Sequence, residues 1–116
     1  MKYHISMDLG FTAAGGPNAS DTPENFDRFT DRVFEELVSL ESVMDNVHDP
    51  DVAGRLTERS MAIAMTIEAH TPEDGVQFFL NTVRTALHAA GGGTGAWSAF
   101  EPTADPAAGG VELTCA

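Results

Sequence analysis

Apolar and polar side chains alternate along two stretches of the chain. In the first stretch the apolar positions are Tyr3, Ile5, Met7 and Leu9, with Lys2, His4, Ser6 and Asp8 between them. In the second stretch they are Met61, Ile63, Met65 and Ile67, with Ala62, Ala64, Thr66 and Glu68 between them. A period of two is typical of a strand with one buried face, so both stretches are predicted as strands.

A weaker alternation between Val52 and Leu56 predicts a short strand before the second of these stretches. The polar residues 57–60 that follow it have the length of a hairpin connection. The segment 45–51 before it, which contains His48 and Pro50, is interpreted as the connection from the first helix to this strand.

Apolar residues at intervals of three and four predict two helices, from Pro23 to about Met44 and from Pro72 to about Ala90. The first predicted stripe contains Phe26, Phe29, Val33, Leu37, Leu40 and Met44, widened by Phe34 and Val38. The second contains Val76, Phe79, Leu80, Val83, Leu87 and Ala90. The acids Asp27, Asp31 and Glu35 form a ridge on the first helix, which is interpreted as a solvated face.

Both helices begin with the same residue pattern. Thr22-Pro23-Glu24-Asn25 returns as Thr71-Pro72-Glu73-Asp74. A Thr hydroxyl accepts a hydrogen bond from a free amide of the first helical turn, and Pro is tolerated there because its missing N–H has no partner to lose. The recurrence indicates one strand-helix unit built twice.

With Ala96–Phe100 as a fourth strand, the order is strand, helix, strand, strand, helix, strand. This order predicts an α+β fold of the ferredoxin-like split βαββαβ type, an antiparallel sheet with two helices on one face. Residues 1–100 are predicted as one domain. Residues 101–116 are a Pro-, Ala- and Gly-rich tail in which 111–114 could add a short edge strand.

The net charge of −12 makes the surface repel a phosphate backbone, which argues against direct nucleic-acid binding. No apolar run approaches the roughly 20 residues that cross a bilayer, so no membrane partner is expected. The alternating start of the chain lacks a continuous signal-peptide core, and the chain is placed in the cytoplasm. The lone Cys115 permits no internal disulfide.

The sheet face turned away from the helices is the predicted interface. This face carries mostly small and polar residues. The predicted interface also includes Phe78, which lies off the core stripe of the second helix, and Trp97, which follows that helix. The predicted set is His4, Ser6, Asp8, Ala62, Ala64, Thr66, Glu68, Phe78 and Trp97. Such a face can be solvated, pair with a second subunit or bind a small ligand, and its small side chains favour the second subunit.

Catalytic and metal-binding patterns are weak. His4 and Asp8 lie about 13 Å apart along one strand, too far for a linear triad with Ser6. His4 with Glu68 on the neighbouring strand is the better acid-base pair, but two ligands do not make a zinc site. No metal, cofactor or catalytic residue is therefore predicted. Gly91-Gly92-Gly93 follows a helix, where it acts as a stop, and does not precede one as a phosphate-binding loop would.

The run Val83-Arg84-Thr85-Ala86-Leu87-His88-Ala89-Ala90-Gly91-Gly92, followed by Gly95-Ala96-Trp97, resembles the last helix and turn of small uncharacterised proteins from actinobacteria and their phages. The high Ala, Gly and Asp content with few Lys is similar to that of proteins from high-GC genomes. The resemblance implies a source and a size, and it carries no functional residues.

Together these patterns favour a small acidic, non-enzymatic protein-interaction module, homodimeric and able to contact a host or regulatory protein. An alternative is a small-molecule-binding or enzymatic module that uses the predicted loop 12–21 with the open sheet face. A second alternative is an acidic decoy that imitates DNA charge for a DNA-binding protein.

Overall fold

A long first strand pairs along both of its edges with other strands. In the computed structural model, which describes residues 1–13, 22–90, 100–102 and 111–115, this strand belongs to an α+β fold of two helices and an antiparallel sheet. In chain order the elements are β1 (Lys2–Ala13), α1 (Pro23–Val43), β2 (Val47–Arg55), β3 (Ser60–Glu68), α2 (Pro72–Ala90), β4 (Phe100–Pro102) and β5 (Val111–Cys115).

The sheet has the strand order β2-β3-β1-β4, and β5 also pairs with β1. His4 faces Thr66 on β3 and Thr114 on β5, so these two strands lie on opposite edges of β1. β4 pairs with the far end of β1, where Phe11 faces Pro102. Residues 100–102 and 111–115 therefore form part of the same sheet as β1.

Both helices cover one face of the sheet. The predicted alternation on β1 and β3 is confirmed, because all eight of its apolar residues are buried. The core they share with the helices also contains Phe26, Phe29, Val33 and Leu37 of α1, and Phe79, Leu80, Val83, Ala86 and Leu87 of α2. Leu40, Met44, Val76 and Ala90, at the margins of the predicted stripes, are partly buried.

The two predicted helix starts are confirmed. Thr22 Oγ1 accepts a hydrogen bond from the Asn25 amide at 3.1 Å, and Thr71 Oγ1 accepts one from the Asp74 amide at 3.1 Å. Each cap satisfies one of the amides that a first helical turn leaves without an intrahelical partner.

The predicted connection at 45–51 is wrong. β2 begins at Val47, five positions before the predicted start at Val52, and it pairs with β3 on both sides of a register shift between His48 and Asp51. Asp49 lies inside the shift with a φ of 51°. The turn-forming residues of this segment therefore form a bulge within β2, and pairing with β3 on both sides of the bulge keeps the segment in the sheet.

Phe34 and Val38 do not widen the buried stripe of α1. Their exposed fractions are 40% and 41%. On the side of α1 that faces β2, the last buried residue around the helix is Thr30, which packs near Gly54. A helix on a sheet buries only the stripe that faces the sheet and its neighbours, and the next residues around the helix face outward.

β1 is longer than the alternation predicted, because Thr12 and Ala13, assigned to a loop, pair with β4. Its added residue Phe11 is buried and packs edge-on against two α1 rings, with ring centroids 5.6 Å from Phe26 and 5.4 Å from Phe29. Residues 14–21 of the predicted loop, 96–99 of the predicted fourth strand and the glycines 91–93 lie outside the described residues. Neither helix of the described chain is long and apolar enough to cross a membrane.

Candidate functional site

The sheet face opposite the helices, called the open face below, gathers most of the predicted interface residues. Its members come from four strands and are Lys2, His4, Ser6, Asp8, His48, Asp51, Ala53, Arg55, Ala62, Ala64, Thr66, Glu68, Glu112 and Thr114. The period of two that buries one side of β1 and β3 turns these residues to the other side. They form one continuous surface because paired residues of neighbouring strands point the same way.

Short side chains occupy the centre of the open face. Ser6 faces Ala64, and Ala64 faces Asp51 on the next strand. Ala62 and Thr66, on either side of Ala64 along β3, are half-buried. The backbone is therefore close to the surface here, and another flat surface can approach it closely.

One end of the open face carries a group of three ionisable side chains. Glu68 Oε1 lies 3.7 Å from Lys2 Nζ and 3.2 Å from His48 Nε2. The Nε2 atom is shielded from solvent and has no hydrogen-bond partner among the described residues, so its contact with Glu68 is one of proximity. Lys2 faces Glu68 directly across the two strands.

This arrangement differs from the acid-base pair suggested by the sequence. The register places His4 opposite Thr66, while the Glu68 carboxylate lies beside His48, which the sequence had assigned to a connection. Val47 is the residue that could have indicated the longer strand. It is apolar and fully buried, and it continues the core-facing side of β2 across the bulge.

The other end of the open face carries a second ion pair beside a shallow depression. Arg55 Nη1 lies 3.6 Å from Asp8 Oδ1, reaching past Ala62 on the strand between them. The depression has a volume of about 490 Å³, with Ser6, Ala62 and Glu112 among its lining residues. Arg55 lies on the strand predicted from Val52 to Leu56 and Glu112 on the suggested edge strand 111–114. Neither was among the predicted site residues, because the sheet residues of the predicted interface came from β1 and β3 alone.

Phe78 belongs to a different surface. It lies on α2 in the helical layer, with 42% of its surface exposed. Two depressions meet at its ring. One, of about 630 Å³, is also lined by Met1, Asp45, Asn46, Glu68, Ala69, His70 and Asp74, and the other, of about 150 Å³, by Leu40, Met44, Asn81, Thr82 and Thr85.

The predicted interface thus divides into an open sheet face and a separate region around Phe78, while Trp97 lies outside the described residues. Among the described residues no three of the side chains His, Cys, Asp and Glu are placed to hold a metal ion together. The exposed ion pairs of the open face contribute little to folding, because solvent screens them. Their chemistry suits non-covalent recognition of a surface with matching charges.

Comparison with models of protein families, with curated proteins and with solved structures found no match to this chain.

Proposed function

We propose that this chain is a self-associating interaction module, a homodimer that pairs through the open faces of two sheets. We also propose that its topology is ferredoxin-like. The strand order β2-β3-β1-β4 supports that topology, since a split βαβ arrangement places the first and third strands at the centre of an antiparallel sheet.

The observation that carries the dimer proposal is how charge is distributed on the open face. A chain with a net charge of −12 repels a second copy over most of its surface. On the open face, however, Lys2 lies beside Glu68 at one end and Arg55 lies beside Asp8 at the other. Each end therefore offers a base beside an acid, with small side chains between the two ends, while Asp51 near the centre and Glu112 beside the Asp8–Arg55 end add two further acids.

This pattern is complementary to itself. A two-fold axis lying in the interface and running across the strands places the Lys2–Glu68 end of one copy over the Asp8–Arg55 end of the other. Each basic side chain then has an acid of the second copy as a potential partner. Such isologous contacts are the rule in homodimers.

The size of the face sets the expected affinity. Four strands span about 20 Å and their paired lengths about 25 Å, which gives about 500 Å² in plan. Stable complexes commonly bury about 800 Å² per partner, so this interface is at the small end of the range. We therefore expect a dimer that dissociates on dilution.

The test is sedimentation velocity over a dilution series, with native mass spectrometry at the highest concentration. The Ala64→Arg variant places a long cationic side chain at the centre of the open face and should remain monomeric where the unchanged protein is dimeric. The matched control is Ser39→Arg, which adds the same charge at an exposed position of α1 and should leave the dimer intact.

Circular dichroism melting distinguishes a lost interface from a lost fold, and Thr66→Lys gives a second probe if Ala64→Arg does not fold. A protein that is monomeric at every concentration contradicts the proposal. So does a folded Ala64→Arg variant with an unchanged dimer mass.

A second candidate function is small-molecule binding in the depression beside Asp8 and Arg55, which the volume of about 490 Å³ favours. A reproducible added mass in the native spectrum that is lost from Arg55→Gln would support it. An adduct-free spectrum, with no ligand recovered from the purified protein, would count against it.

A further inference from the structure

The helical layer carries an exposed apolar region that the open-face dimer does not cover. It consists of the exposed Met1, Val43 and Phe78 with the partly buried Leu40 and Met44, and is called the Phe78 patch below. Met1 and Val43 are each 75% exposed, and Phe78 is 42% exposed. Exposed large apolar side chains that lie together in this way mark interaction sites more often than scattered ones do.

The members of the patch are linked through Phe78 and along α1. Phe78 and Met1 line the larger depression, and Phe78, Leu40 and Met44 line the smaller one. Val43 lies three residues after Leu40, so the two are neighbours on the surface of the helix. The patch therefore runs from the end of α1 across to the start of α2.

The chemistry beside the patch is acidic. Asp45, Glu68 and Asp74 line the larger depression, and the described lining residues of both depressions include neither Lys nor Arg. The Met1 amino group contributes a positive charge there, and it donates a hydrogen bond to the Ala69 carbonyl at 3.1 Å.

Glu68 is shared with the open face, where it lies near Lys2 and His48. Asp45 and Asp74 are therefore the acids that define the rim of the patch. Because these carboxylates are spread around a depression and no metal-holding group of three exists among the described residues, an extended organic cation suits the site better than a metal ion does.

We propose that the Phe78 patch docks a segment of a different protein in which a large apolar side chain adjoins Lys or Arg. The apolar side chain packs against Phe78 and Met44, and the cation lies between Asp45 and Asp74. A second copy of this chain does not fit the same description, since docking on this patch would bring acids of both copies together. The overall charge of −12 also attracts a basic segment at long range.

The test uses a fluorescently labelled amphipathic peptide of about four helical turns, with Leu on one face and Lys on the other. Its dissociation constant for the full chain is measured by anisotropy in moderate salt. Phe78→Ser should weaken binding by about tenfold or more, the range of a central aromatic contact.

Phe34 provides the control for nonspecific binding to exposed apolar surface. It is an exposed phenylalanine of α1, at 40% against 42% for Phe78, and it lies outside both depressions. Phe34→Ser should leave the dissociation constant within about twofold, because it changes the total exposed apolar surface without touching the patch.

Charge is tested in the same way with Asp45→Asn and Asp27→Asn, which remove one negative charge each from exposed positions of the surface. Asp45→Asn should weaken binding and lower its salt dependence, and Asp27→Asn should change both less. Equal effects of the two phenylalanine variants, equal effects of the two aspartate variants, or equal binding of a peptide with Ser in place of Leu would each overturn the proposal. So would failure of the Leu and Lys peptide to bind.

Ala64→Arg separates this inference from the proposed dimer. The substitution lies on the opposite face of the sheet from the helical layer and should leave peptide affinity unchanged, whether or not it abolishes self-association. Loss of peptide binding in a folded Ala64→Arg variant would contradict the assignment of docking to the Phe78 patch.

Discussion

The two faces of the sheet are built from alternate residues of the same strands, yet they differ in side-chain size, burial and charge. On β3 the residue Ile63 is fully buried against the helices, while its neighbour Ala64 lies half-buried on the open face. The covered face is filled by large apolar side chains. The open face has short side chains at its centre and ion pairs at its ends.

This difference separates stability from recognition. Burial of the covered face removes apolar area from water, which is the main favourable contribution to folding. The open face contributes half-buried short side chains and exposed ion pairs, and the ion pairs are worth little in water. Its residues are therefore available for contacts with a partner at little cost to the fold.

The largest expected effect is the difference in stability loss between Ile63→Ala on the covered face and Thr66→Ala on the open face. The first leaves a cavity beneath the helices and should lower the free energy of unfolding by about 2–5 kcal/mol. The second shortens a side chain of the open face and should change the free energy of unfolding by only about 0.5 kcal/mol. Urea unfolding at one fixed protein concentration measures both. Equal losses would show that the open face is as important for folding as the covered one.

A smaller effect is expected where β2 meets α1. A Cβ at Gly54 would lie 3.0 Å from Thr30 Oγ1 and 3.1 Å from its Cγ2. Thr30 is held in place because its hydroxyl donates to the Phe26 carbonyl at 2.9 Å. Gly54→Ala should therefore destabilise the protein by about 1 kcal/mol, as crowding outweighs the gain from removing a strand glycine.

The control for Gly54→Ala is a double-mutant cycle with Thr30→Ala, which removes both crowding atoms. The combined loss should be smaller than the sum of the single losses. Additive losses would place the cause elsewhere. Ala53→Ser, one position away on the open face, should have almost no effect.

The smallest effect concerns the ion pair of Asp8 and Arg55, whose side chains are 66% and 54% exposed. A cycle of Asp8→Asn and Arg55→Gln should give a coupling energy of at most about 0.5 kcal/mol in chemical unfolding of a monomeric background such as Ala64→Arg. A coupling well above that value would mean that the open face stabilises the monomer, which would weaken the contrast between the two faces.

Much of the fold was predictable from local patterns. The alternation around Ile5 and Ile63 predicted two central strands, and the Thr-Pro starts at Thr22 and Thr71 predicted where both helices begin. These predictions were correct because each depends on residues adjacent in sequence. The same alternation predicted which residues share the open face, and the register confirms that they lie together.

The candidate site was predictable on β1 and β3, where the alternation is long, and not where it depends on pairing between strands. His48, Arg55 and Glu112 complete the charged ends of the open face, but they lie on β2 and β5. Pairing across the sheet decides which charges meet, and nothing local to Glu68 indicates that its carboxylate lies beside His48 and not beside His4.

Local patterns along the chain set the starts of the two helices, the two central strands and most of the apolar residues that face the core, because side-chain period and capping chemistry act over a few residues. Tertiary packing made Val47 the start of a strand across a bulge, since backbone pairing with β3 maintains that strand despite its turn-forming residues. It also decided that Phe34 faces outward and that Phe78 borders two depressions. The exposure of a helical side chain depends on which neighbours reach it, and those neighbours are distant in sequence.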